Sequence, residues 1–161
     1  IRVHGQGDTK YDNIRIGING RMDTIQAAVL LEKLKIFPEE MVKRDQIASQ
    51  YRKLLSGHFV CQKIPDGYKS AWAQFSLLAS NTNERSLCRE QLKNFGIPTA
   101  VYYAKSLHLQ DAFKNAGFKE GDFPVSETIS KRIFSLPMHP YLADDDVKQI
   151  CEILLSIKEK V

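Results

Sequence analysis

Cysteine is scarce: this sequence of 161 residues has three, Cys61, Cys88 and Cys151. Their wide spacing fits neither a disulfide framework nor a Cys-x-x-Cys metal site, so no metal is expected. Cys151 falls at a helix-periodic apolar position, where a thiol serves as a small buried hydrophobe. Long apolar runs are missing as well. A membrane-spanning helix needs roughly 20 consecutive apolar residues, and nothing approaches that, so no membrane association is expected. A basic stripe interleaved with aromatics, the footprint of a nucleic-acid binder, is also lacking, and no nucleic-acid partner is expected. The 23 Lys and Arg residues outnumber 19 Asp and Glu, but the charges come mixed, as in Glu39, Glu40, Lys43 and Arg44, and read as solvated surface. There is no internal repeat and no low-complexity tract. What remains is an ordinary globular composition, 43% hydrophobic and 26% charged, with a cytoplasmic, reducing compartment as the expectation. An initiator methionine is absent too. The opening Ile1-Arg2-Val3-His4-Gly5-Gln6 reads as the middle of a structured polypeptide, and the expectation is a fragment.

Along the chain, Gly5, Gly7, Gly17 and Gly20 break any periodicity in residues 1–20. A helix is expected from Asp23, which with Gln26 forms a capping-box pattern, and Ile25, Ala28, Val29 and Leu31 give it a broad apolar surface. Phe37-Pro38 is expected to interrupt it, with Pro38 opening a second helix. There Met41, Ala48, Tyr51 and Leu55 recur at helical spacing, and Gly57 supplies the stop. Residues 59–64 and 72–79 have strand character around the turn-forming Pro65-Asp66-Gly67. Asn81 and Glu84 start a helix with Leu87, Leu92 and Phe95 on its apolar face, closed by Gly96. A short strand over 97–103, a short helix through Leu109, Ala112 and Phe113, and a helix from Pro124 follow. A strand at Phe134-Ser135-Leu136 and a last helix from Asp144 complete the order. The fold class expected is α+β: two layers, one sheet with helices packed on one side.

Three blocks carry chemistry. In the first, Ile16-Gly17-Ile18-Asn19-Gly20-Arg21-Met22-Asp23-Thr24-Ile25-Gln26-Ala27-Ala28, a glycine-flanked loop presents an Asn and an Arg just before a capped helix. Glycines admit close backbone approach. An Asn amide with the free N–H groups of a helix start suits a phosphate, and a guanidinium fork suits a carboxylate or phosphate. Asn-Gly is also a common turn, so the bare pattern leaves a purely structural loop open. The second block is Gly96-Ile97-Pro98-Thr99-Ala100-Val101-Tyr102-Tyr103 with Ser106-Leu107-His108-Leu109-Gln110. The third is Phe123-Pro124-Val125-Ser126-Glu127 with Ser135-Leu136-Pro137-Met138-His139-Pro140. Its prolines fix the exit from a strand, and it is attributed to fold, His139 included.

The first block closely resembles the G-x-N-x-R-M/L-x-x-x-Q-A-A segment of the DegT/StrS family, fold-type I aminotransferases of nucleotide-linked keto sugars that depend on pyridoxal 5'-phosphate. The second resembles that family's "GI-x-t-x-HY-x-x-p-l-H" stretch, with Tyr102 in place of the frequent His, and the third its "sLPmhP" close. The resemblance spans essentially the whole chain. It implies an aspartate-aminotransferase-like fold, with residues 1–22 ending the large cofactor domain, 23–57 as connector helices and 58–161 as the C-terminal small domain. It also implies a homodimer with a shared active site, in which the match to Asn19 reaches the neighbouring subunit's cofactor phosphate. Arg21, Tyr102, Tyr103 and His108 would then face the substrates, glutamate as amino donor and a nucleotide sugar as acceptor. None of the lysines, Lys10, Lys33, Lys35 and Lys43 among them, stands in the family's Schiff-base context. No catalytic residue is therefore assigned, and that lysine is expected upstream. Arg2 to Gln6 together with Gly17 to Asp23 look most like members that make amino sugars for surface polysaccharides such as lipopolysaccharide, with a UDP-linked 3-keto-hexuronate as the favoured substrate. A rival reading is a non-catalytic regulatory, sensory or binding member of the same family.

Overall fold

In the computed structural model residues 2–9 and 12–158 are described; Ile1 and Lys10, named above, lie outside the described residues. The chain divides into two compact units, Ile1–Glu39 and Glu40–Val161.

In the first unit the loop folds back on itself through its backbone. The His4 N–H donates to Ile18 O at 2.9 Å and the Gly20 N–H to Arg2 O at 2.7 Å, and Val3 pairs with Asn19 in an antiparallel bridge. Gly5 and Gly17 make the crossing possible. A Cβ on Gly17 would lie 2.0 Å from the Gly5 nitrogen, and one on Gly5, where φ is +72°, would lie 1.9 Å from Arg15 O. Only glycine fits either place. Helix α1 (Thr24–Leu55) follows, and its first turn is tied by the Ala27 N–H to Asp23 O at 2.9 Å. The apolar side chains Ile25, Val29, Leu31 and Leu34 are all more than half exposed; at the helical spacing Ile25 and Val29 share one side of α1 and Leu31 and Leu34 another, exposed apolar surface of the kind that marks a place to be covered.

The expected break at Phe37-Pro38 is not there: α1 runs through Pro38 as one helix. A proline inside a helix removes one N–H and crowds the carbonyl four residues back, here Leu34, at a cost of about 3 kcal/mol. Strong helix formers on both sides, Ala27, Ala28, Leu30, Leu31 and Lys33 before it and Glu39, Glu40, Met41 and Lys43 after it, carry the helix across.

In the second unit α1 ends with Ile47, Ala48, Tyr51 and Leu55 buried, and Gly57 turns the chain with φ +90°. Strands β1 (Val60–Cys61), β2 (Phe75–Leu78) and β3 (Ile133–Leu136) form one antiparallel sheet in that order. Both early strands are shorter than expected. Trp72, buried with φ +45°, takes a left-handed backbone that no strand continues through. The expected strand over 97–103 is reduced to one bridge, Ala100 with Ser135. Pro98 has no N–H to give, and the chain turns at Tyr102 and Tyr103. Helices α2 (Thr82–Asn94), α3 (Pro124–Arg132) and α4 (Asp144–Lys158) complete the α+β layer, with two 3₁₀ turns, Leu107–Leu109 and Asp111–Ala116, between them. The alternation along β2 and β3 sends Phe75, Leu77, Phe134 and Leu136 into the core, where Val147, Ile150, Cys151 and Leu154 of α4 are also buried. Cys151 is thus the buried thiol expected. Tyr51 packs on Phe75 at 4.9 Å between centroids and donates its hydroxyl to Pro137 O at 3.0 Å.

The start of α2 and the end of α4 are joined by charge. The Asn81 side chain caps α2 by accepting the Glu84 N–H at 2.9 Å. Glu84 itself, 3% exposed, accepts the Ser80 N–H and pairs with Lys158. Burial pushes the Glu84 carboxyl up, but the Lys158 and Ser80 bonds outweigh it and hold it below its ordinary range. A carboxyl lowered on folding stabilises the protein above its unfolded pKa, about 4.3, and that stabilisation is lost as pH falls through the lower folded value. The Glu84 contribution to the melting temperature is therefore expected to hold from neutral pH down to about pH 4.3 and to fall away below it. A Glu84→Gln variant should melt lower at pH 7 and lose less on acidification. Parallel curves for the two proteins would remove Glu84 from the acid response.

Candidate functional site

One face of the sheet is buried in the core, and the other carries two serines beside Leu78 and Ile133. Ser76 and Ser135 stand opposite each other in β2 and β3, their hydroxyl oxygens 2.8 Å apart. Above them opens a cavity of about 340 Å³, lined among others by Cys61, Gln62, Gln74, Ser76, Tyr102 and Tyr103. The segment carrying the tyrosines is pinned at one point: the Ala100 N–H donates to Ser135 O at 3.1 Å and the Ser135 N–H to Ala100 O at 2.8 Å. Immediately beyond, Tyr102 and Tyr103 are both more than half exposed. They also line a second cavity of about 390 Å³ with Lys105, Ser106, Gln110 and Ser126. Ile129 and Ile133 line both cavities, with Leu78 and Val101 in the first; on these largely apolar walls a few phenols, carboxamides and hydroxyls with one lysine offer hydrogen bonds to a polyhydroxylated ligand bearing negative charge. Burial pushes the Cys61 thiol up, which keeps it a neutral lining group rather than a nucleophile.

The sequence-derived residues fall into two sets. Tyr102 and Tyr103 share the two cavities just described. His108 is close in sequence but turned inward: it is 9% exposed, packs against Phe123 with tilted rings 4.7 Å apart between centroids and bonds through Nε2 to Glu127 Oε1 at 2.9 Å. It borders a third, apolar cavity with Phe113, Phe118 and Phe123. Asn19 and Arg21 lie in the first unit, on the loop ahead of α1. Both are exposed, and among the described residues neither side chain has a hydrogen-bonding or ionic partner. Because the loop is tied by its backbone, the carboxamide and guanidinium remain available as donors. This donor set fits an anionic group, the phosphate of pyridoxal phosphate included. His139 accepts the Tyr141 N–H at 3.2 Å, in keeping with a role in the fold.

Sequence reasoning missed Gln62, Gln74, Ser76 and Ser135 as lining residues. The signal was there for the serines: each alternates with large apolar neighbours at the two-residue period of a strand. Among the described residues no cluster of His, Cys, Asp and Glu could hold a metal. No described helix is long and apolar enough to cross a membrane.

Comparison with known proteins places these features in context. The sequence profile of the DegT/DnrJ/EryC1/StrS aminotransferase family matches residues 1–155. A UDP-2-acetamido-2-deoxy-3-oxo-D-glucuronate aminotransferase of Pseudomonas aeruginosa is 38% identical over 97% of this chain, which spans 42% of that protein. Among solved structures, a DegT DnrJ EryC1 StrS aminotransferase from Brucella abortus superposes with TM-score 0.88 and 48% identity, covering 96% of this chain and 41% of its own. The putative sugar aminotransferase Spr1654 from Streptococcus pneumoniae, in its PLP-form, superposes with TM-score 0.86 and 26% identity, covering 98% and 41%. The chain thus spans about two fifths of the length of these relatives.

Proposed function

From the premise that this chain belongs to the DegT/DnrJ/EryC1/StrS aminotransferase family, we propose that it is the C-terminal part of a pyridoxal-phosphate-dependent nucleotide-sugar aminotransferase. In that reading residues 1–22 close the cofactor domain, 23–57 connect and 58–161 form the small domain. The observation that carries it is the loop of Asn19 and Arg21: two exposed, unengaged donors on a glycine-locked backbone, just ahead of a helix start.

Asn19 would hold the cofactor's phosphate with its amide N–H, across a homodimer interface that the exposed apolar side chains of α1 help to build. Bound pyridoxal phosphate supplies an electron sink that allows nitrogen to pass from an amino acid to a keto sugar. This chain's residues bind and orient. Arg21 grips a carboxylate, and Tyr102 and Tyr103 with the glutamines of the cavity engage sugar and nucleotide hydroxyls, excluding water from part of the cleft. His108 supports that wall from behind rather than touching substrate. The proton-transferring lysine is supplied upstream of residue 1. The acceptor is a UDP-linked 3-keto-hexuronate, a reading supported by the likeness to the Pseudomonas aeruginosa enzyme, and its product is an amino sugar for surface polysaccharide.

Arg21→Lys in the full-length protein tests the substrate. Lysine keeps the charge and loses the fork, and loss of the two-bond grip should cost about tenfold in kcat/KM for the half-reaction that uses it. A defect confined to the sugar half-reaction, with a neutral hexose analogue unaffected, supports the uronate. A defect confined to the donor half places glutamate on Arg21. No defect in either half removes Arg21 from the site. Failure of the full-length protein to transfer nitrogen at all would favour the regulatory reading over the enzymatic one.

A further inference from the structure

The loop that follows the two tyrosines is fastened to α3 by a carboxylate and a hydroxyl from the helix's first turn. Glu127, 7% exposed, accepts the Gly121 N–H on both oxygens, at 2.9 and 3.0 Å. It accepts the Phe123 N–H at 3.2 Å and bonds His108 Nε2 at 2.9 Å. Burial pushes its carboxyl up, but the bonds from Gly121, Phe123 and His108 outweigh it and hold the carboxyl below its ordinary range. An ionised carboxylate only accepts, so the proton of the His108 bond sits on Nε2. One residue earlier, the Ser126 hydroxyl donates to the buried Ser106 hydroxyl at 3.1 Å. The first turn of α3 therefore holds residues 106 and 108 on one side and 121 and 123 on the other. All residues from 110 to 120 between them are exposed. None of these bonds reaches the apolar core. The residues they hold, 106 and 108, lie within the segment that supplies Tyr102, Tyr103, Lys105 and Gln110 to the cavity.

We propose that Glu127, acting through His108, is the positioning residue for the Tyr102–Tyr103–Lys105 wall of the ligand cleft. The inference rests on the reading of that cleft as the sugar-nucleotide site. It differs from a role in general stability, because its loss loosens one loop and leaves the core in place.

The test uses the full-length protein and the variants Glu127→Ala, His108→Phe and His108→Gln, the last keeping an N–H donor near the position of Nε2. Two quantities are read: amide hydrogen exchange of peptides covering 102–110, and affinity for UDP by calorimetry. Glu127→Ala and His108→Phe should exchange faster in 102–110 while peptides from α4 are unchanged, and should bind UDP about tenfold more weakly, the scale of one lost charged hydrogen bond. His108→Gln should restore most of both. Unchanged exchange in 102–110, faster exchange everywhere, or His108→Gln as impaired as His108→Phe would each overturn the proposal. If the unaltered protein binds no UDP, the sugar-nucleotide reading fails, and the exchange measurement still decides whether Glu127 holds the wall.

Discussion

Asn19→Ala in the full-length protein is expected to weaken retention of pyridoxal phosphate by about tenfold to a hundredfold, as befits a hydrogen bond to a charged phosphate. The loop should survive the change. Its shape comes from the bonds His4 N–H to Ile18 O and Gly20 N–H to Arg2 O, and from the bridge of Val3 with Asn19, all of them backbone. Asn19→Asp should do more harm than alanine, since it places a second anion against the phosphate. The measurement is the apparent dissociation constant, from cofactor absorbance after dialysis, alongside a melting curve to confirm an intact fold. Retention equal to that of the unaltered protein would remove Asn19 from the cofactor site.

The largest loss of stability is expected from Trp72→Ala. Its ring is 2% exposed and packs 5.7 Å from Phe75. Its Nε1–H donates to Asp45 at 2.9 Å, and its carbonyl accepts from Arg44 at 2.9 Å. Truncating a buried aromatic of this size costs about 3–5 kcal/mol, a large share of the roughly 5–15 kcal/mol that holds a domain folded. Trp72→Phe separates the contributions. It keeps most of the ring and loses one hydrogen bond to an exposed partner, about 1 kcal/mol. Urea denaturation of the three proteins reads both differences, and an alanine variant as stable as the phenylalanine variant would show that burial of the ring against Phe75 contributes little.

The elements legible in the sequence were those fixed by local rules. Asn81 with Glu84 announced α2, Pro124 the start of α3, and the period of Val147, Ile150, Cys151 and Leu154 the buried side of α4. What misled were residues whose effect depends on distant partners. Pro38 looked like a break because propensity is local, while the formers on either side decide whether one lost bond ends a helix. Trp72 looked like a strand residue, since aromatics favour strands. Its left-handed backbone presents the carbonyl to Arg44 while its indole N–H donates to Asp45, both of α1, which no local pattern could reveal. At the site, the motif pointed to Tyr102, Tyr103 and His108 together. The structure parts them, because Glu127, read as a fold residue, turns His108 away from the tyrosines' cavity. The burial of His108 could not be foreseen from its spacing, since its partner lies 19 residues away.

The sheet's modest dimensions bear on behaviour at high concentration. An outer strand with a run of unpaired N–H and C=O groups invites another chain to add itself, and such additions propagate into aggregates. Here β1, on one margin, is only two residues long. On the other margin the middle of β3 is already occupied: Ser135 gives its N–H to Ala100 and takes the Ala100 N–H in return. Two residues before Ala100, Pro98 adds a position that cannot donate at all. Neither margin offers an incoming strand more than a foothold, so intermolecular pairing has to wait for this module to unfold.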